Sequence, residues 1–173
     1  MIAPLPDLLI DPVVRAALAE DLGRAGDITA LACIDADATL TATFGARKPG
    51  TIAGLDCARL AVLAMDPAAK FKARVADGDA VAAGTVLAKV TGNARALLSA
   101  ERTALNLLGR LSGVATLTAQ YVAAVEGTKA RITDTRKTTP GLRAPSPAIW
   151  SRSSARSTVS SSWPRRSTPA PTW

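Results

Sequence analysis

Two stretches of the chain carry side chains whose types and spacing could do chemistry. Residues 101–110 read ERTALNLLGR. Placed at about 100° per residue on a helix, Leu97, Leu98, Ala104, Leu105, Leu108 and Leu111 fill one apolar arc. Arg102, Asn106 and Arg110 fall together in a polar row beside it. Glu101 falls inside the arc, where a carboxylate costs stability unless something pairs with it. A residue that breaks a local rule is a candidate for function. The alternative is a satisfied carboxylate at a helix or subunit interface, with Arg102 on a solvated face. Residues 134–143 read DTRKTTPGLR and follow an expected strand directly. Loops after strands are where α/β folds keep their binding residues. Arg136 offers a fork that matches a carboxylate or phosphate, and Lys137 a compact point charge. Thr135, Thr138 and Thr139 add hydroxyl donors. The set suits a small polyanion, or else it is a solvated basic loop. It is not a phosphate-binding loop of the GxxxxGK[ST] type, which occurs nowhere in the chain.

Residues 77–90 have the look of the hairpin of biotinyl or lipoyl carrier domains. Such hairpins display a modifiable lysine at the tip. Here the turn Asp77-Gly78-Asp79 is acidic and Lys89 lies within a strand, so a structural role is expected.

The elements that must position these residues read as an α+β layer. Asp11-Pro12 has the form of a helix start, with Val13, Val14, Ala17 and Leu18 as its apolar face and Gly23 as its stop. Residues 40–46 alternate as a half-buried strand, and 51–53, 71–75 and 86–90 read as further strands. Leu55, Ala58, Val62 and Met65 predict a helix over 55–65. A long helix is expected from 94 to 111, broken by Ser112-Gly113, with a second from 114 to 125 and a strand at 131–134.

Composition narrows the chemistry further. The chain has 173 residues and no histidine, which removes Ser-His-Asp and Cys-His pairs and His-based metal sites. Cys33 and Cys57 are too few for a disulfide framework and fit free thiols in a reducing cytosol. The net charge of +7 is uneven: residues 1–143 hold 17 basic and 14 acidic residues, and the last 30 hold four arginines and no acid. A basic tail inflates the total, so no nucleic-acid partner is expected from it. The N-terminus lacks the basic start of a signal peptide, and no apolar run reaches the ~18 residues of a membrane span. A cytoplasmic protein without a membrane partner is expected.

Residues 144–173 are a different kind of text, with nine Ser, five Pro and all three Trp. They read as a disordered Ser/Pro-rich tail, or as a frame change after about Arg143 in a GC-rich gene.

Taken in order, EDLG at 20–23, GDIT at 26–29, GTIAG at 50–54, ERTALN at 101–106, LSGVAT at 111–116 and DTRKTTPGLR at 134–143 carry a family pattern. Over about residues 5–143 the sequence resembles nicotinate-nucleotide pyrophosphorylase (carboxylating), the quinolinate phosphoribosyltransferase family. The resemblance implies an α+β N-terminal sandwich domain over 1–110, the start of an α/β barrel over 111–143, incomplete in this chain, and the tail 144–173. It implies conversion of quinolinate and phosphoribosyl pyrophosphate to nicotinate mononucleotide, pyrophosphate and CO2, with Mg2+, in NAD biosynthesis. It also implies a homodimer whose site is shared between subunits. By the same resemblance Arg102 contacts quinolinate from the neighbouring subunit, Glu101 buttresses Arg102, and Thr135, Arg136 and the catalytic Lys137 line the site from the first barrel strand. The Mg2+ ligands are expected beyond Arg143. A chain lacking most of the barrel is expected to be inactive as written. The alternatives are a related homologue linked to molybdenum transport and a non-enzymatic carrier-like module built on residues 77–90.

Overall fold

A computed structural model of the chain describes residues 5–133. Its elements run α1 (Asp7–Leu22), α2 (Ile28–Cys33), β1 (Thr39–Gly45), β2 (Gly50–Thr51), α3 (Leu55–Met65), β3 (Lys70–Ala73), β4 (Ala80–Val81), β5 (Val86–Asn93) and α4 (Ala94–Ala124). The α+β sandwich is as expected. An antiparallel sheet of order β1-β5-β3 forms one layer, and β2 pairs with β4 in a separate two-stranded ladder. Thr41 and Thr43 face out while Phe44 turns inward to meet Phe71, with ring centroids 5.7 Å apart. The other layer is helical. Ile10, Val14 and Leu18 of α1, Leu55, Ala58 and Val62 of α3, and Leu97, Ala104, Leu108 and Leu111 of α4 share one buried core.

α3 takes the bounds expected for it, because its apolar spacing agrees with what the fold buries. α1 does not. It starts at Asp7, five residues before the Pro12 expected to open it. Pro12 sits inside the helix and removes one backbone donor. The burial of Ile10 carries the helix backwards through it, and Arg59 of α3 holds Asp7 by an ion pair. The 51–53 strand is shorter than expected: only Gly50 and Thr51 enter a ladder.

The expected break at Ser112-Gly113 is absent, and α4 is one helix of 31 residues. A helical glycine costs about 1 kcal/mol relative to alanine. Here the neighbours outweigh it. Leu108, Leu111 and Ala115 are buried at helical spacing on either side of Gly113. The two hydroxyls of this segment grip residues 51 and 53. Ser112 Oγ accepts from Ala53 N at 3.1 Å and donates to Ala53 O at 3.2 Å. Thr116 Oγ1 accepts from Thr51 N at 2.9 Å and donates to Thr51 O at 3.4 Å. One helical turn advances about 6 Å in four residues, and a strand advances about 6.6 Å in two. The helix therefore acts as a strand partner made of side chains. On the other edge, Ile52 N donates to Asp79 O and Gly78 N to Ile52 O. The segment's backbone is satisfied from both sides.

This contact explains two glycines. A Cβ on Gly50 would lie 2.6 Å from Thr116 Oγ1, and one on Gly54 would lie 2.7 Å from Leu111 Cδ1. Gly54 also has φ +100°, a backbone conformation that side chains strain to adopt. The motifs at 50–54 and 111–116 are thus two halves of one junction.

Beyond it, Leu117 and Tyr121 are exposed. Arg131, Ile132 and Thr133 form no strand; among the described residues they have no ladder partner. The described residues close no barrel. Asp134, the loop bearing Thr135, Arg136 and Lys137, and the tail 144–173 lie outside the described residues.

Candidate active site

α4 begins at a well-made cap. Asn93 Oδ1 accepts from Ala96 N at 3.1 Å, and Asn93 Nδ2 donates to Ala36 O at 2.7 Å. From there Arg95, Ser99, Arg102 and Asn106 follow at spacings of four, three and four residues, which places them on one stripe. Each of the first three meets a different piece of the N-terminal segment. Arg95 donates to the carbonyls of Ile34 and Leu31, at 2.6 and 3.2 Å, and so clamps α2. Ser99 Oγ donates to Asp27 Oδ2 at 3.1 Å. Arg102 Nη1 donates to Asp21 Oδ1 at 3.1 Å.

Asp27 has two duties. It caps α2 by accepting from Ala30 N at 2.9 Å, and it takes the Ser99 hydroxyl. The backbone bond from Ala30 is the main cause of a carboxyl held below its ordinary value, against opposing desolvation; Ser99, a backbone bond from Thr29 and Arg102 add to it. The end of α1 and the start of α2 are therefore both tied to α4, at Asp21 and Asp27.

Between these ties lies a cleft of about 430 Å³ whose wall includes Asp21, Asp27, Ser99, Glu101, Arg102 and Asn106. Its charges are three carboxylates and one guanidinium, so this wall alone does not attract an anion. What it presents outward is Arg102, whose side chain is 74% exposed, against 22% for Asp21. The planar fork keeps its remaining N–H groups for a carboxylate or phosphate.

The structure corrects the reading of Glu101. Leu98 and Leu105 are exposed at the cleft, so the buried face of α4 is narrower than the apolar arc. Glu101 is exposed beside them rather than inside the core. The carboxylate bonded to Arg102 belongs to Asp21, not to Glu101. The polar row of Arg102, Asn106 and Arg110 is exposed as expected. Of the expected site residues, Glu101 and Arg102 meet in the cleft; Thr135, Arg136 and Lys137 lie outside the described residues.

Sequence reasoning assigned no role to Asp21 or Asp27. A signal for Asp21 was present: Glu20 and Asp21 occupy the last turn of α1, where the helix end is partly negative and acids are unfavourable. Other chemistries find little support. Burial, helped by Asp77 and Asp56, pushes the Cys57 thiol up to about 12, which leaves it inert as a nucleophile. Residues 77–90 form no hairpin: β4 pairs with β2, and β5 with β1 and β3. Asp77 accepts from Gly54 N and Leu55 N at 2.8 and 3.1 Å, so it closes the start of α3 and serves structure. Among the described residues no group of three or more Cys, Asp and Glu side chains could hold a metal ion. No helix among them is long and apolar enough to cross a membrane.

The sequence and fold match a known class. Residues 27–112 match the N-terminal domain of quinolinate phosphoribosyl transferase, and residues 114–147 match its C-terminal domain. The join between the two falls inside α4. The chain belongs to the quinolinate phosphoribosyl transferase family. It is 47% identical over 133 residues to the nicotinate-nucleotide pyrophosphorylase [carboxylating] of Mycobacterium leprae, covering 76% of this chain and 47% of that protein. The probable nicotinate-nucleotide pyrophosphorylase of Synechocystis is 44% identical over 138 residues, covering 80% and 46%. Among solved structures, NadC from Streptococcus pyogenes superposes with a TM-score of 0.81 at 32% identity, over 88% of this chain and 54% of that one. The nicotinate-nucleotide pyrophosphorylase of Francisella tularensis gives 0.76 at 32% identity, over 89% and 52%. The chain spans about half the length of the relatives it matches. The names of these relatives lend no support to a molybdenum-linked or carrier-like alternative.

Proposed function

We propose that this chain serves quinolinate phosphoribosyl transfer in NAD biosynthesis, and that Arg102 is its contact to a quinolinate carboxylate. The observation that carries the reading is a presented guanidinium, anchored at one edge and open at the others, on the 101–106 motif of a chain in this family. The reaction displaces pyrophosphate from the anomeric carbon of the sugar, and its transition state carries oxocarbenium-like charge. Both substrates are polyanions. Positioning by cations and preorganised electrostatics does more in such a step than a nucleophilic side chain.

Since the cleft wall carries more negative than positive charge, the remaining cations of the cradle must come from elsewhere. In this reading Arg136 and the catalytic Lys137 supply them with Thr135, across a homodimer in which Arg102 reaches the neighbouring copy's site. The exposed Val114, Leu117 and Tyr121, which share one stripe of α4, are consistent with a further covering surface. Glu101 stays beside Arg102 as part of the cleft rim. Mg2+, when bound, would accompany the diphosphate of the sugar donor and offset its charge. The free cysteines fit the reducing cytosol as the compartment.

The test is calorimetric titration of the 173-residue chain with quinolinate, with nicotinate as the monocarboxylate control. Quinolinate should bind more tightly than nicotinate, and Arg102→Ala should weaken it at least tenfold, as loss of a charge-assisted pair predicts (~1.5–3 kcal/mol). Binding indifferent to Arg102 or to the second carboxylate overturns the reading. Adding phosphoribosyl pyrophosphate with Mg2+ to the same samples shows by nicotinate mononucleotide formation whether the chain also turns over.

A further inference from the structure

The geometry points to Asp21 as a positioning residue for Arg102, a role that rests on the function proposed above and extends it. The first observation is an expense in the wrong place. Asp21 lies in the last turn of α1 beside Glu20, with no basic residue there, where the unpaired carbonyls of the helix end repel a carboxylate. The second is where that carboxylate goes. It reaches α4, 81 positions along the chain, and accepts from Arg102 Nη1 at 3.1 Å.

The third is the division of exposure: Asp21 is the sheltered half of the pair and Arg102 the open half. An arginine this exposed and without a partner samples many rotamers. Held at one nitrogen, it keeps its plane and offers the rest of its fork in a fixed direction. No other carboxylate of the cleft is bonded to it. Asp27 has given both oxygens to Ala30 N and Ser99 Oγ.

The proposal has a sign that a neighbouring charge cannot imitate. A carboxylate close to an anion site repels the anion, so deleting it should tighten quinolinate binding if charge is all it contributes. If Asp21 positions Arg102, deletion weakens binding instead. Quinolinate affinity of the 173-residue chain is measured for Asp21→Ala, Asp21→Asn, Arg102→Ala and the double variant. Asp21→Ala should weaken binding about 3- to 10-fold, and Asp21→Asn less, because its amide oxygen still accepts from Arg102. In the double variant the Asp21 change should add nothing to the Arg102 loss.

Thermal melting separates this from a structural pair. Removing an acid from a helix C-terminus leaves Tm unchanged or raised, whereas loss of a structural ion pair lowers it. The nitrogen–proton signal of the Arg102 side chain in the ligand-free chain gives a second measure: it should sharpen the contrast by broadening or shifting in Asp21→Ala. Equal or tighter quinolinate binding by Asp21→Ala, additive losses, or an unmoved Arg102 signal overturns the positioning role. Binding untouched by Arg102→Ala overturns the proposed function instead, and the ligand-free signal still reports on Asp21.

Discussion

Around Ser112 and Thr116, α4 lies so close to residues 50–54 that a single added carbon would collide with Leu111 or Thr116. Around Arg102, ten residues earlier, the same helix stands over an open cleft of about 430 Å³. One region is built of glycines, short hydroxyls and buried leucine. The other is built of long charged side chains with one end anchored. The difference shows how one element can be a brace and a presenter at once. Tight packing fixes where the helix lies, and exposure leaves the ends of its side chains available to a ligand. Stability and chemistry are therefore separable along α4, and each can be perturbed alone.

The sharpest way to break this contrast is Gly54→Val. A β-branched residue at φ +100° with its Cβ against Leu111 should destabilise the chain by about 3 kcal/mol or more, read as a fall in denaturation midpoint. A loss below about 1 kcal/mol would show that the junction yields easily. Ser112→Ala comes next. It leaves Ala53 N–H without its hydroxyl acceptor and should cost about 1–2 kcal/mol in chemical denaturation. Gly113→Ala, at the very next residue but on the open side of the helix, should not destabilise at all.

On the cleft side the expected effects are smaller and depend on pH. Because the folded chain holds the Asp27 carboxyl below its ordinary value of 3.8, the charged form favours the fold. That stabilisation is complete above the ordinary value and fades as pH falls towards the lower folded one. Protection of the Ala30 amide, measured against its intrinsic exchange rate at each pH, should fall over that acidic range, and Asp27→Asn should abolish this pH dependence. Smallest of all is Arg102→Ala, expected to change stability by less than about 0.5 kcal/mol because the Arg102 side chain is largely exposed. A larger loss of stability would make Arg102 part of the brace after all.

How far the sequence reveals this arrangement depends on whether local pattern and tertiary burial agree. They agree in α3, where Leu55, Ala58 and Val62 all face the core. They conflict at Pro12, whose local preference is overruled by Ile10, and at Gly113, where helix packing overrides a breaker. At Glu101 they also conflict, because Leu98 and Leu105 belong to the apolar arc by type yet border the cleft instead of the core. Arg102 was legible as an exposed cation on a recognisable motif. Its partner was not, since nothing local links residue 102 to residue 21. Only the odd acid at a helix end hinted that Asp21 belonged elsewhere.

The unbroken course of α4 has a mechanical side. Arg102 stands about 15 Å of helix from Ser112. Were the junction a fulcrum, a tilt of about 5° would swing the Arg102 backbone by roughly 1.3 Å, as far as separates a hydrogen bond from a miss. A load on the far arm, near Tyr121, would arrive at the cleft undamped, because no joint lies between.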